Sequence, residues 1–234
     1  RGLVTPGAFI PLLEQSGFIA KLDLYIWKEV CRYLRKWLDE GKTLLPISIN
    51  VSRVDIYTLD VVECLKNMAE EYCLPANLLE IEITESAYAE EYQKITGVAE
   101  QLRSAGFTVL MDDFGSGYSS LNMLKDINVD ILKIDMKFLD MDEKSADKGL
   151  GILEAIIRMA TLMGLRIIAE GVETGEQVKV LLEMGCLYGQ GYYFFQPLTI
   201  ESYERLLETP ENFDYRGIKA RDVKSLSIKD LLNA

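Results

Sequence analysis

The chain contains no histidine. That excludes catalytic triads built on imidazole and the histidine-bearing zinc sites, and leaves oxygen ligands as the metal chemistry at hand. Cysteine is scarce. Cys31, Cys64, Cys73 and Cys186 form no CxxC pair, so neither a disulfide framework nor a thiolate centre is written here. They read as reduced core or near-core thiols of a cytosolic domain. No run of about 18 apolar residues and no signal-peptide pattern occurs, which predicts a soluble cytoplasmic domain, free-standing or carried by a membrane-anchored protein, with no membrane contact of its own. Basic residues are few: 25 Lys and Arg stand against 37 acids, a net charge of −12. A long nucleic acid selects a basic face, so that partner is excluded. A small phosphorylated ligand stays open, because divalent cations can reverse the local sign.

What is present is a repeated pattern. Five runs of β-branched and apolar residues end in an acid or an amide, and a helix follows each. They are Pro46–Asn50, Leu79–Glu85, Phe107–Asp113, Asp130–Asp135 and Arg166–Glu170. Such runs suit parallel strands buried on both faces. Helices are predicted over 7–15, 22–40, 58–72, 90–105, 118–126, 147–163, 174–184 and 200–208. Ile26, Val30, Leu34 and Trp37 make the expected apolar face of the second. Thr174 and Gln177 fit a capping box, and a weak strand is expected over 186–190. Six strands alternating with helices mean a parallel α/β sheet, either an open doubly wound sheet or a barrel two strands short of eight. A barrel domain over 1–208 and an extension over 209–234, with a short helix at 226–233, are the expected divisions. Arg1–Gly7 reads as a loop entered midway, as in a fragment of a longer protein.

Asn50, Glu82, Asp112, Asp113 and Glu170 fall at or near strand ends. Parallel α/β folds place their chemistry there. Carboxylates with an amide carbonyl make a hard-oxygen set suited to Mg²⁺ or Mn²⁺. Any one of them could instead cap a helix or face solvent. Lys133, within an apolar strand, is either a structural ion-pair partner or a cation that orients water or phosphate. Glu85 either caps the next helix or holds the glycine loop Asp113–Ser120. That loop nearly matches a dinucleotide fingerprint, with Asp135 twenty residues after Gly115. However, the third glycine is Ser120, and two acids stand where phosphate would approach.

Taken together, several segments resemble the EAL family of cyclic di-GMP phosphodiesterases. They are Pro6–Glu14, Ile49–Ser52, Glu82–Ser86, Met111–Leu121, Leu132–Asp135, Ala169–Thr174 and Gln190–Phe194, in family order. The resemblance implies a modified TIM (β/α)₈ barrel whose first two strands are missing from this chain. It implies metal-dependent hydrolysis of cyclic di-GMP to linear pGpG, with a non-catalytic cyclic di-GMP receptor as the alternative. Asn50, Glu82, Asp112, Asp113 and Glu170 would hold two Mg²⁺ or Mn²⁺ ions. Lys133 would orient the attacking water, Glu170 would be a ligand or general base, and Glu85 would anchor loop 114–120. Gln190, Pro11, Phe9 and Asp135 would contact substrate. A homodimer and an upstream regulatory or diguanylate cyclase domain are expected by the same likeness. The name-giving Glu-Ala-Leu segment is absent, and Leu187 and Gln196 depart from the family pattern.

Overall fold

The computed structural model describes residues 4–115, 128–136, 146–208, 213–214 and 217–218. The helices expected at 118–126 and 226–233 lie outside them. The chain divides into two compact units, one of Arg1–Asp112 and Gly117–Asp130, the other of Asp113–Ser116 and Ile131–Ala234.

The first unit opens with α1 (Pro6–Ser16), where Pro6 presets the first turn and Gly17, at φ 72°, ends it. Helix α2 (Ile19–Asp39) buries Asp23, Trp27, Cys31 and Leu34. The apolar face expected through Ile26 is therefore turned: Ile26 is exposed, and Trp27 takes the inner position. Strand β1 (Ile47–Asn50) follows. Instead of one helix over 58–72 there are two, α3 (Arg53–Thr58) and α4 (Val61–Glu71). Ser52 and Asp55 form a capping box that starts α3 early, and Asp60 caps α4 afresh. Strand β2 (Leu79–Thr84) leads into α5 (Glu85–Glu90) and α6 (Tyr92–Ser104). Thr84, whose hydroxyl accepts from the Ala87 N–H, starts α5 before the expected helix. Strand β3 (Thr108–Phe114) closes the series, and the boundary between the units falls within it. β1, β2 and β3 pair in parallel. Ile49, Ile81, Ile83 and Leu110 are essentially inaccessible between the sheet and its helices.

The second unit repeats the scheme. Strand β4 (Ile131–Asp135) pairs in parallel with β5 (Arg166–Glu170), and β5 with the short β6 (Tyr188–Gly189). Helix α7 (Ala146–Leu162) lies between β4 and β5, α8 (Gly175–Glu183) between β5 and β6, and α9 (Ile200–Leu207) follows. The capping box expected at Thr174 and Gln177 is formed. Ile131, Leu132, Lys133 and Ile134 are all buried, as a strand covered on both faces requires. Two short strands, β7 (Phe213–Asp214) and β8 (Gly217–Ile218), pair antiparallel within the extension expected after residue 208. All four cysteines are free; Cys31 and Cys186 are buried, but Cys73 is exposed and is not the near-core thiol expected.

Candidate functional site

In the first unit the strand ends gather three of the expected groups. Asn50 stands opposite Glu82, and Thr84 opposite Asp112. Partners in register share a face, and so do residues two apart on a strand. Asn50, Glu82 and Asp112 therefore project from one face of adjacent strand ends. Glu82 is buried, Asp112 half-buried and Asn50 exposed. A buried carboxylate such as Glu82 is costly without hydrogen bonds or a cation. The backbone around Asn50 is fixed from two sides. The Trp27 indole N–H donates to the Asn50 carbonyl at 2.9 Å, and the Val51 N–H donates to the Glu82 carbonyl at 2.9 Å. Glu85 is buried in the first turn of α5. Of the loop it was expected to hold, only Phe114 and Gly115 are described. Phe9 and Pro11 lie in α1, Phe9 half-buried and Pro11 exposed.

In the second unit, Asp113 and Glu170 present carboxylate oxygens within 4.8 Å of one another. Asp113 holds a φ of 56°, a left-handed conformation uncommon outside glycine and most tolerated by Asp and Asn. That backbone turn aims a side chain at the end of β3 which would otherwise follow the strand's alternation. Lys133 Nζ lies 2.6 Å from Glu170 Oε1, with the lysine only 4% exposed. Asp135 stands opposite Glu170 in the β4–β5 register. Gln190 continues the edge of β5: its N–H donates to the Ala169 carbonyl at 2.7 Å, and its carbonyl accepts from Val172 at 3.0 Å. Gly191 allows this approach, since a Cβ there would sit 2.2 Å from the Val172 carbonyl oxygen. The second unit thus places Asp113, Lys133, Asp135 and Glu170 at or near the ends of β3, β4 and β5, with Gln190 in the turn beyond β6.

The sequence reading assigned nothing to Asp23 or Asp55. Ser52-x-x-Asp55 is a capping-box signature that could have marked one of them.

Parallel strands that carry oxygen donors at their carboxyl ends define the class: an α/β protein with acids and an amide at the carboxyl ends of its strands. The sequence pattern described as the EAL domain matches residues 1–197. The chain belongs to the EAL domain family. It is 35% identical over 227 residues to the cyclic di-GMP phosphodiesterase NbdA of Pseudomonas aeruginosa, covering 97% of this chain and 28% of that protein. A solved structure of the PaMucR phosphodiesterase, a c-di-GMP complex, superposes with a TM-score of 0.80 at 34% identity, covering 87% of this chain and 82% of the other. The manganese/cy-diGMP complex of Klebsiella pneumoniae BlrP1 gives 0.66 at 28% identity, over 76% of this chain and 45% of the other. The fold is accordingly the EAL form of the (β/α) barrel; the first two strands of an eight-stranded barrel are not among the described residues. The chain spans little more than a quarter of the curated relatives it matches first, 26% and 28% of their lengths.

Proposed function

We propose that this chain is the catalytic part of a phosphodiesterase that opens one ester bond of cyclic di-GMP to give linear pGpG. The observation that carries the reading is the buried Lys133–Glu170 pair, with Asp113 beside it at the carboxyl ends of parallel strands. It is supported by relatives named cyclic di-GMP phosphodiesterases at about 35% identity. The donors fit Mg²⁺ or Mn²⁺, since they are carboxylates and an amide, with no imidazole in the chain to favour zinc. On this reading Asn50, Glu82, Asp112, Asp113 and Glu170 hold two ions. Bound divalent ions would make water acidic enough to attack at neutral pH and would offset charge on the phosphoryl oxygens.

The protein's own groups do the rest. Lys133, paired with Glu170 at 2.6 Å, orients the attacking water. Glu170 accepts the proton of the attacking water or serves as a ligand. Glu85 steadies the loop after β3. Gln190, Asp135, Phe9 and Pro11 contact the dinucleotide. The parent protein acts in the cytoplasm as a homodimer, with this part downstream of a regulatory or diguanylate cyclase domain. One relative is named as a bifunctional enzyme of that kind. Among the described residues no helix is long and apolar enough to cross a membrane.

The test is binding and turnover of cyclic di-GMP with Mn²⁺, beside Asp112→Asn. The account expects both in the native protein and loss of turnover in the variant. Binding without turnover in the native protein would make it a receptor, and the absence of both binding and turnover would overturn the reading altogether.

A further inference from the structure

The first unit buries a second pair of acids, away from the strand ends. Asp23 of α2 is 7% exposed and Asp55 of α3 is 0% exposed, and the two helices pack together. The two oxygens of Asp55 differ. Oδ2 accepts from the Ser52 N–H at 2.7 Å and from the Ser52 hydroxyl at 2.6 Å. Among the described residues, no N–H or hydroxyl reaches the buried Oδ1. The Asp23 carboxyl lies beside Asp55 and can donate only while it carries a proton. Two bare carboxylates in contact, out of water, repel strongly; one proton between them removes the repulsion and supplies the missing donor.

We propose that Asp23 is a neutral acid that donates to Asp55 Oδ1, and that this shared proton positions the backbone bearing Asn50. The link to Asn50 runs along two paths. Asp55 fixes Ser52, two residues past Asn50. Trp27, one turn after Asp23 on α2, donates to the Asn50 carbonyl. Asp23 is thus a positioning residue. Only the metal-binding role of Asn50 rests on the function proposed above; the shared proton does not.

Burial, and then the charge of Asp55, pushes the Asp23 carboxyl up to about 7 from an ordinary 3.8, with Glu14 of α1 adding to it. Strand β1 packs on α2 and carries no ionisable side chain. Helix α4 also packs there, and its acids Glu63, Glu70 and Glu71 are not among the groups acting on Asp23. Because the folded value lies above the unfolded one, the pair's stabilisation is complete below about pH 4 and is lost as the pH rises through about 7.

The experiment is a pH titration of the Trp27 indole N–H by NMR. The chain has two tryptophans, and Trp37→Phe assigns the signal. In the native chain the Trp27 resonance should move with a midpoint near 7, and the urea midpoint should fall between about pH 4 and pH 7. No histidine exists to mimic that titration. Asp23→Asn keeps a neutral donor; it should fold, hold the Trp27 signal constant across that range and flatten the urea profile. Mn²⁺ affinity, read by calorimetry, should survive in Asp23→Asn and fall about tenfold in Asp23→Ala. An Asp23→Asn chain that keeps the native titration overturns the shared proton. Native Mn²⁺ affinity in a folded Asp23→Ala overturns the positioning role. A native chain that binds no Mn²⁺ overturns the metal reading of Asn50, while the indole titration still decides the proton.

Discussion

Lys133 Nζ and Glu170 Oε1 lie 2.6 Å apart on neighbouring strands, the lysine almost wholly buried and the glutamate mostly so. Lysine in the middle of an apolar strand is expensive, and a carboxylate at this distance offsets the cost. The pair also leaves Glu170 in one place at the carboxyl end of β5. Replacing Lys133 with Met removes the cation at 2.6 Å from a largely buried carboxylate. The expected loss is about 3 kcal/mol of stability, read from urea unfolding. Turnover of cyclic di-GMP should fall at least roughly 100-fold in the folded variant. Native turnover in Lys133→Met would remove the lysine from the mechanism.

Gly191 and Gly151 make opposite predictions. A Cβ at Gly191 would collide with the Val172 backbone, 2.2 Å from its carbonyl oxygen. Gly191→Ala should therefore lower stability by more than about 1 kcal/mol and disturb Gln190 beside it. Gly151 sits in α7, and among the described residues no atom lies within 4 Å of where its Cβ would be. Gly151→Ala should stabilise by about 0.5–1 kcal/mol, because alanine is the better helix former. Thermal melts of both variants check the pair of signs.

Much of this arrangement is legible in the sequence, for physical reasons. Buried parallel strands need continuous Ile, Leu and Val, so β2, β4 and β5 stand out and their ends locate Glu82, Asp135 and Glu170. Helix α2 was harder. The series Ile26–Val30–Leu34 and Asp23–Trp27–Cys31–Leu34 are both helical in spacing and share Leu34. An acid at the first place of the true stripe hides it, since a buried Asp is not expected without a partner, and the partner, Asp55, lies on another helix. The break between α3 and α4 leaves no mark in the apolar pattern, because the Ser52 cap acts ahead of it. Asp113's left-handed φ has no sequence signal beyond the tolerance of Asp for it.

Ser52 should be worth more than an ordinary surface serine. Its hydroxyl accepts from the Asp55 N–H at 3.1 Å and donates to Asp55 Oδ2 at 2.6 Å. Ser52→Ala should cost about 1 kcal/mol, read from the urea midpoint. A cost near zero would mean that α3 is set by packing and not by its cap.

The thiols should separate by burial. Cys31 is buried, and burial, followed by the charge of Glu71, pushes its thiol up to about 11. Cys186 is also buried and raised by burial. Since the thiolate is the reactive form, alkylation of the folded chain at mildly alkaline pH should mark exposed Cys73 first and leave Cys31 and Cys186 until unfolding. Peptide mass spectrometry of a time course reads the order, and early labelling of Cys31 would contradict the packing of α2.

The central claim is that strand-end carboxylates and Lys133 serve metal-dependent cleavage of cyclic di-GMP. Its most direct measurement is chromatography of the product formed by the parent protein with Mn²⁺, after chelation, and after Mn²⁺ is restored. The account predicts linear pGpG that appears with the metal, stops on chelation and returns on restoration, with Asp112→Asn inactive throughout. Product formation untouched by chelation, or undiminished in Asp112→Asn, would contradict it.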